Sequence, residues 1–560
     1  MTAIDTRVLI VGAGPIGLIS GLLLHQHGVD FRIIERRPTL HQAPQAHVIS
    51  NRTLEICRAV GIADGPIREA GPSLGDTRSV RWVDHLLGRD IGAFMLGKNP
   101  DEVVRMLTQS PTPTTNLSQD KFEQFLYDRL VAVAGEDVVL FEHAWTAFDE
   151  GDTYASAIET PAGTTTINSR YLIAADGAGS RVRKAIGVEM VGPDNIQSFA
   201  NVHFSANLKE KLAGREGILY WVMDHEVDGV FIAHDISGNW IYMKSIDEDE
   251  AAGTLDPDKY KTLLAKALGE DVPFDFLSVN AWRMTAQIAD AYQKDRVFLA
   301  GDAAHRFPPT GGIGMNTGFQ DAHNLAWKIA MVERGASPAI LDTYELERKD
   351  VAEANSSQSL TNAMKMFEVV ALLDVDGDEK ITMADIDAVI GDEERRASVQ
   401  AAIDGQAAHF NMSGLDLGVC YEGSLVVADG TPPDSPDPIS VYIPSTTPGT
   451  RLPHSAITRD GETCSTLDLV RHDQFTVWSY QPDSLAAMLS DLADELPVAG
   501  VSLAEENGIN AVDEGLGSLF AEDEVLLVRP DGHIAARYKL EDAASRIGQD
   551  LRALLGWVGS

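Results

Sequence analysis

The chain has 560 residues, too many for a single hydrophobic core, so we expect two or three domains. A formal net charge of -39 at pH 7 opposes binding to nucleic acid and to anionic membranes. The three cysteines, Cys57, Cys420 and Cys464, form no C-x-x-C pair, which indicates a reducing, cytoplasmic compartment without a disulfide framework. Glycines and a proline interrupt the apolar stretch over residues 8–24, so we interpret it as a strand and a helix and expect no membrane span.

The first predicted elements are a strand, a glycine-rich turn and a helix. The sequence reads V-L-I-V-G-A-G-P-I-G over residues 8–17, and a second strand over residues 31–34 ends at Glu35. Glycines in this pattern permit a tight turn and let a pyrophosphate approach the start of the helix. An acid about 20 residues further on can accept hydrogen bonds from a ribose. The complete context predicts a dinucleotide-binding βαβ unit rather than an ordinary glycine turn.

A second motif follows a predicted helix that starts at Gln119, with Ser118 as its N-cap. Short alternating strands are predicted over residues 138–176, and the last of them ends at Asp176-Gly177, before small residues and two arginines. Taken alone, this is turn chemistry with solvated arginines. Next to the other two motifs, we interpret it as part of one ligand site.

Residues 185–290 read as a mixed sheet, because runs of alternating apolar residues recur at short intervals. Aromatic side chains on these strands are suited to wall a ring-shaped pocket, although most positions on alternating strands fill a core. We expect one or two of them to line the site. The aromatic candidates are Tyr220, Trp221, Phe231, Trp240, Tyr242 and Trp282.

The third and most informative motif begins where an apolar strand over residues 297–300 ends at Gly301-Asp302. A Pro-Pro turn ending at Pro309 and the glycine-rich run G-G-I-G-M-N-T-G-F-Q-D over residues 311–321 lead into an amphipathic helix. A carboxylate at a strand end can hold a ribose hydroxyl, and bare backbone N–H groups can approach an anion or a polar ring. Because this loop lies far from the first motif in the chain, one ligand large enough to span both is implied.

One acidic segment imitates a calcium loop. Residues 374–385 place oxygen-bearing side chains at positions one, three, five and twelve of such a loop. Glu379 stands where the loop needs glycine, and Asp385 stands where it needs glutamate. We therefore favour an acidic turn that caps the helix predicted from Met383, with calcium as the alternative, and expect no metal site.

In this order and spacing, the three motifs resemble the single-component, flavin-dependent aromatic hydroxylases. The run over residues 311–328 is typical of that family. Q-A-H-V-I-S-N-R-T-L-E-I (residues 45–56) and S-T-T-P-G-T-R-L-P-H (residues 445–454) resemble its phenol, hydroxybiphenyl and chlorophenol monooxygenase branch. The resemblance implies an α/β (α+β) fold, with a Rossmann-like FAD domain, an interleaved mixed-sheet substrate domain and a C-terminal thioredoxin-like domain.

The expected boundaries combine the resemblance with composition. Residues 405–450 are rich in Gly, Pro and Ser, which is typical of a linker. The thioredoxin-like domain lacks a C-x-x-C pair, so we assign it no redox chemistry and expect it to serve packing and homodimer formation. The expected ranges are 1–75, 116–184 and 291–400 for the FAD domain, 76–115 and 185–290 for the substrate domain, 401–454 for the linker region and 455–560 for the thioredoxin-like domain.

The resemblance implies FAD as the cofactor and NAD(P)H as a co-substrate. The sequence has no second dinucleotide fingerprint, so we expect NAD(P)H to bind transiently at the surface. The expected FAD contacts are Gly12, Gly14, Pro15, Gly17, Glu35, Arg36, Arg52, Gln119, Asp176, Gly177, Asp302, Pro309, Gly314, Met315 and Asn316.

In this family, reduced FAD and oxygen form a flavin hydroperoxide that oxidises an aromatic ring without a metal. A phenol reacts best when its hydroxyl is deprotonated or strongly hydrogen-bonded, so the site needs a base or acceptor near that oxygen. The resemblance places His47 there, with a structural histidine near the flavin as the alternative. In that branch an aspartate pairs with this histidine, and the corresponding position of this chain is Asn116. The difference suggests a substrate of different polarity or a relay through Asn116. We expect His305 to be structural.

We therefore predict an NAD(P)H-dependent FAD monooxygenase that hydroxylates a phenolic or related aromatic substrate ortho to its hydroxyl. The substrate is either a small phenol in catabolism or a larger aromatic metabolite in tailoring. The alternatives are Baeyer–Villiger insertion or epoxidation on the same scaffold, and a non-catalytic flavoprotein. A flavin halogenase is disfavoured, because the sequence contains no W-x-W-x-I-P segment.

Overall fold

The structure is a computed structural model that describes residues 4–375, 377, 380–423, 425–433, 435–490, 492–504, 509–512 and 520–557. The elements up to residue 185 are β1 (Ile4–Val11), α1 (Pro15–Gln26), β2 (Phe31–Glu35), β3 (Val48–Ile49), α2 (Asn51–Ala59), α3 (Asp64–Ala70), β4 (Ser79–Val83), β5 (Asp90–Met95), α4 (Pro100–Thr108), β6 (Thr115–Asn116), α5 (Gln119–Ala134), β7 (Val139–Phe141), β8 (Ala144–Asp149), β9 (Tyr154–Thr160), β10 (Gly163–Ala174) and α6 (Arg181–Ala185). Those up to residue 373 are β11 (Met190–Val191), β12 (Gln197–Ser205), β13 (Leu219–Val222), β14 (Gly229–Asp235), β15 (Asn239–Ile246), α7 (Glu248–Ala252), α8 (Pro257–Leu268), β16 (Asp275–Met284), β17 (Gln287–Ala289), β18 (Gln293–Lys294), β19 (Val297–Leu299), β20 (His305–Arg306), α9 (Gly314–Glu333) and α10 (Thr343–Leu373). The remainder are α11 (Met383–Ile390), α12 (Glu393–Asp404), α13 (Ala407–Phe410), α14 (Ser413–Leu417), β21 (Ala456–Arg459), β22 (Glu462–Ser465), β23 (Phe475–Ser479), α15 (Pro482–Leu489), β24 (Val498–Ser502), β25 (Ile509–Ala511), β26 (Glu524–Val528), β27 (Ile534–Lys539) and α16 (Leu540–Leu555).

A largely parallel sheet carries the glycine-rich turn. Its strand order is β18-β19-β10-β1-β2-β7, and the antiparallel strands β9 and β8 extend from β10. Strand β1 lies parallel to β2 and to β10, and β19 lies parallel to β10. Helix α1 packs between α9 and α5 and buries its leucines in the main hydrophobic core. Because the carboxyl ends of parallel strands meet at one edge, the residues that follow β1, β2, β10 and β19 converge there.

A second, mixed sheet has the strand order β16-β12-β15-β14-β13-β4-β5. Strands β4 and β13 are parallel, and the other neighbours are antiparallel. Successive side chains of a strand point to opposite faces of a sheet. One face of this sheet is buried in a core that includes Trp240 of β15 and Leu264 of helix α8. The other face carries a smaller apolar cluster built on Val230, Ile241 and Met243, which we call the cleft face.

The C-terminal part contains a third sheet, with the order β24-β23-β26-β27. Strand β23 is parallel to β24 and antiparallel to β26, and helices α15 and α16 pack on these strands. A βαβ unit followed by a ββα unit in this order is a thioredoxin-like arrangement. The predicted α/β (α+β) fold, with a Rossmann-like domain, a mixed sheet and a thioredoxin-like domain, is confirmed.

The acidic segment before α11 caps that helix at its described end. Asp385 is the third residue of α11 and forms a reciprocal capping box with Thr382. Asp376, Asp378 and Glu379 lie outside the described residues. Within the described ranges, no group of three or more His, Cys, Asp and Glu side chains is placed to hold a metal ion. A search of the same ranges finds no helix with the length and apolarity that a membrane crossing requires.

Candidate active site

Three glycines shape the turn after β1, each for a different reason. Gly12 has φ +107°, and a Cβ there would lie 2.3 Å from the carbonyl oxygen of Ala175. A Cβ on Gly17 would lie 1.9 Å from the carbonyl oxygen of Gly12, so the helix packs against the turn only with glycine. Gly14 has open space instead, directly before Pro15, the first residue of α1. The open side of this turn therefore suits a pyrophosphate at the helix N-terminus.

Glu35 ends β2 and is buried beside the same turn. Its Oε2 accepts a hydrogen bond from the Ala13 amide at 3.0 Å, and its Oε1 accepts from the Arg37 amide at 2.9 Å. The carboxylate therefore braces the glycine turn as well as standing where a ribose is expected. Arg36 is exposed beyond the end of the strand.

Two aspartates follow the neighbouring parallel strands. Asp176 Oδ2 accepts from the Arg181 amide at 2.8 Å, while its buried Oδ1 has no partner among the described residues. Burial raises the pKa of Asp176. Gly177 has φ +79° and turns the chain away from β10. Asp302 and Pro309 are exposed, and both precede the glycine-rich loop.

The glycine-rich loop ends in the open N-terminus of α9. Thr317 donates its amide to the carbonyl oxygen of Ile313 at 2.8 Å. The amides of Gly314, Met315 and Asn316 precede it in the first turn, where an α-helix supplies no carbonyl partners. They are placed to meet an anion or a polar ring.

The side chain of Asn316 fixes this loop to the segment that carries His47. Its Nδ2 donates to the carbonyl oxygens of Gly312 at 2.7 Å and Val48 at 3.0 Å. Its Oδ1 accepts from the Ser50 amide at 3.0 Å and from the Thr53 hydroxyl at 2.7 Å. The amide side chain is therefore structural, and its backbone remains the group suited to a cofactor.

Gln119 anchors the start of α5 to the same segment. Its backbone amide donates to the carbonyl oxygen of Ala46 at 2.8 Å. Its Nε2 donates to Glu123 at 2.8 Å and to Gln45 at 3.3 Å. Burial raises the pKa of Glu123 to about 7.

Arg52, one of the expected FAD contacts, reaches acceptors of the protein itself. Its guanidinium is buried and donates to Glu55 at 3.1 Å and to the carbonyl oxygen of Asp531 at 2.7 Å. It also lies 3.4 Å from Nδ1 of His323. Arg52 therefore points into the contact with the C-terminal sheet, because that sheet supplies acceptors that local sequence does not show.

His47 and Asn116 meet through the two-stranded ribbon of β3 and β6. Nδ1 of His47 lies 3.2 Å from Oδ1 of Asn116, and the amide oxygen accepts the Nδ1 proton. The lone pair of the ring is then on Nε2, which has no hydrogen-bond partner among the described residues. Burial lowers the pKa of His47, against the smaller opposing effect of the Asn116 hydrogen bond, so the ring is neutral at pH 7.

The structure divides the six aromatic candidates between the two faces of the mixed sheet. Four of the candidates are fully buried in the core on the α8 side of this sheet: Tyr220, Phe231, Trp240 and Tyr242. Because side chains alternate, Trp221 and Trp282 lie on the cleft face instead, and both are half-buried. The indole N–H of Trp221 has no partner among the described residues.

One residue near His47 was missed by the sequence reasoning. The rings of His234 and His47 meet edge to face, with centroids 5.5 Å apart. His234 continues the alternation of Val230 and Ile232 along β14, so the strand pattern contained the signal. His305, by contrast, is structural as expected, since its Nε2 lies 2.7 Å from Asp321 in the core.

Comparisons with known proteins agree with this architecture. The FAD binding domain family matches residues 5–359, and the aromatic-ring hydroxylase C-terminal family matches residues 445–559. The chain is 30% identical to 2,4-dichlorophenol 6-monooxygenase of Delftia acidovorans, over 99% of this chain and 98% of that protein. It is 31% identical to tetracenomycin B2 monooxygenase-dioxygenase of Streptomyces olivaceus, over 96% of each chain. The crystal structure of the flavin-dependent monooxygenase PieE with FAD and substrate superposes with a TM-score of 0.91 at 27% identity, over 100% of both chains.

The nucleotide turn, the two aspartates and the open helix N-terminus at one sheet edge define a FAD-dependent monooxygenase. The chain belongs to the family of flavin-dependent aromatic-ring hydroxylases, and FAD is its cofactor.

Proposed function

We propose that the protein uses NAD(P)H as reductant and hydroxylates a phenolic substrate ortho to its hydroxyl. The observation that carries this proposal is His47, whose Nδ1 proton is held by Asn116 and whose Nε2 is left as an acceptor. His47 belongs to the segment that Asn316 fixes to the glycine-rich loop, and its ring contacts that of His234 on β14. A neutral acceptor in that position suits a phenol oxygen.

The residues around the sheet edge fit FAD. We propose that the turn at Gly14 holds the pyrophosphate, that Glu35 and Arg36 face the adenosine side, and that Asp302 and the amides of residues 314–316 hold the flavin side. When bound and reduced, FAD supplies the activated oxygen that the protein itself lacks.

The protein's own side chains then prepare the ring. His47 accepts the phenol proton at Nε2, which raises electron density at the ortho and para carbons. The apolar cleft face orients the ring and keeps water from the reacting atoms. Trp221 and Trp282 on that face are the aromatic residues that we propose to contact substrate.

The names of the relatives support a phenolic substrate and leave two sizes of ring system. Phenol 2-monooxygenase of a Pseudomonas species is 30% identical, while aklavinone 12-hydroxylase of Streptomyces purpurascens is 30% identical and is named for a larger molecule. Ring insertion or epoxidation of a polycyclic aromatic compound is the alternative reaction on the same scaffold.

The test is NADH and NADPH oxidation by the FAD-loaded protein with phenols and their matched methyl ethers. A phenol should accelerate oxidation and gain one oxygen atom from labelled oxygen gas, ortho to its hydroxyl. The methyl ether has no proton for His47 and should accelerate oxidation at least about tenfold less. Formation of peroxide alone contradicts hydroxylation, and a lactone product supports ring insertion instead.

A further inference from the structure

His234 is buried, with 4% of its surface exposed, and both of its ring nitrogens are without a hydrogen-bond partner among the described residues. Leaving a buried donor or acceptor unpaired costs the full desolvation penalty of that group. Native proteins keep few such groups, and each one calls for an explanation.

The position of His234 supplies that explanation. His234 lies on β14 and its ring meets the His47 ring edge to face, while Nδ1 of His47 is bonded to Asn116. The titratable groups that act on it are His47, His203 and Lys121, and none of the three is an anion that would stabilise a charged imidazole.

The environment keeps His234 neutral. Burial, with the neighbouring histidines and Lys121, lowers its pKa well below the ordinary value. A neutral imidazole offers one donor and one acceptor, so it can bind either a carbonyl or a hydroxyl oxygen.

We infer that His234 is a substrate-binding residue that hydrogen-bonds a second oxygen on the same edge of the aromatic ring system as the hydroxyl at His47. This inference rests on the proposed function, because it takes the phenol oxygen to lie at His47. Two imidazoles in ring contact reach oxygens at neighbouring or peri positions, and not oxygens at opposite ends of a molecule. The substrate class is therefore a phenol with an ortho or peri oxygen, such as a catechol, an ortho-hydroxyaryl ketone or a peri-dihydroxynaphthalene.

The energetic consequence is selectivity between closely similar ligands. A site built to hydrogen-bond a substrate oxygen disfavours the analogue that lacks it, because the buried group of the protein is then left unpaired. A single hydrogen bond of about 1.4 kcal/mol corresponds to a tenfold difference in affinity.

The test is a binding titration of the FAD-loaded protein, followed by the change in flavin absorbance, with 1,8-dihydroxynaphthalene and 1-naphthol. The wild type should bind the peri-diol roughly tenfold more tightly. His234→Phe keeps the ring volume and loses both nitrogens, so it should weaken the peri-diol selectively and bring the two affinities to within about twofold. His234→Gln retains a donor and an acceptor and should keep most of the preference.

His27→Phe is the matched control, because His27 is 5% exposed, has an unpartnered Nδ1 and caps the far end of α1. It should leave the preference unchanged. Equal affinities in the wild type, or equal weakening of both ligands in His234→Phe without rescue in His234→Gln, would overturn the inference and leave the proposed function intact. If neither ligand perturbs the flavin and no phenol stimulates NAD(P)H oxidation, the proposed function itself fails.

Discussion

Asn116 controls the state of His47 through one hydrogen bond. A neutral amide fixes which ring nitrogen carries the proton but adds no negative charge to stabilise the imidazolium. Burial therefore dominates, and the pKa of His47 is lowered. This combination keeps the ring available as a proton acceptor over the whole neutral range.

Replacing Asn116 with aspartate should move the pH dependence of kcat/KM. The carboxylate stabilises the protonated ring, so the acid limb of the profile should shift upward by about one to three pH units. Asn207→Asp places the same charge in an exposed loop and should leave the profile unchanged. An unmoved limb in Asn116→Asp means that His47 does not titrate in the reaction.

His47→Gln should lower kcat/KM for a phenol by roughly 10²- to 10⁴-fold, because the general base is lost, while FAD binding persists. In the wild type, activity requires neutral His47, so it should fall only below the ordinary pKa of 6.5, and this limb should be absent from the variant. The exposed His25→Gln is the control. A variant with full activity contradicts the assignment of His47 as base.

Residue roles were predictable where a motif dictates both backbone and side chain. Glu35 and the glycines of the first turn belong to this group, because strand, turn and helix are contiguous in the chain. The contact between Arg52 and the carbonyl oxygen of Asp531 was not predictable from local sequence, since the two residues are 479 positions apart. His234 escaped notice because its importance comes from a neighbour on another element, His47, and not from its own segment.

At the scale of elements, the turn between β1 and α1 separates two uses of glycine. The absent Cβ of Gly17 makes room for protein backbone, whereas that of Gly14 leaves open space for a ligand. Substitution of Gly17 should therefore damage packing, and substitution of Gly14 should damage cofactor binding.

Gly14→Val should weaken FAD binding roughly tenfold or more (about 1.4 kcal/mol) without loss of the folded state, because the added methyl groups enter only the ligand space. The flavin-to-protein absorbance ratio measures this after dialysis, alongside circular dichroism. Gly65→Val, also in open space but in α3, should retain FAD. Full FAD content in Gly14→Val means that the pyrophosphate lies elsewhere.

The alternating pattern predicted the strands of the mixed sheet, but it did not assign a direction to the two faces. Alternation shows that Tyr220 and Trp221 point opposite ways, but the sequence does not say which way is the cleft. Four of the six aromatic candidates fill the core against α8, and two tryptophans, Trp221 and Trp282, lie on the cleft face. Only the tertiary placement of β3 and β6 identifies the cleft side.

At the scale of the molecule, buried charges join the C-terminal sheet to the FAD-binding part. Arg529 is fully buried and donates to Glu347 of α10 at 2.7 Å and to Asp531 at 2.6 Å. Trp327 of α9 donates to the same aspartate at 3.1 Å, and Arg451 pairs with Glu55. The cost of burying each of these charges is offset only when its partner of opposite charge is also present.

Arg529→Met should lower the free energy of unfolding by about 3–5 kcal/mol, because the buried carboxylates of Glu347 and Asp531 then lose the positive charge between them. Urea titration at pH 7 measures the loss, and Lys211→Met, which removes an exposed pair with Glu270, should cost less than about 1 kcal/mol. Arg529 and Lys328 hold the pKa of Glu347 at about 2, below the ordinary 4.5. The stability that this carboxylate contributes is present above pH 4.5 and is lost as the pH falls toward 2, and the variant should lose this acid dependence.

The short stretch from Gln45 to Arg52 is held at one end by the helix start at Gln119 and at the other by Asp531 of the C-terminal part, with His47 in between. The thioredoxin-like part thus contacts the segment that carries His47, so it cannot be exchanged with that of a relative without affecting this segment. In a chimera with the C-terminal part of a relative, the contact that holds Arg52 changes. The position of the His47 ring should then change as well. Recombination between members of the family should therefore preserve activity only when residue 52 and the segment around residue 531 come from the same parent.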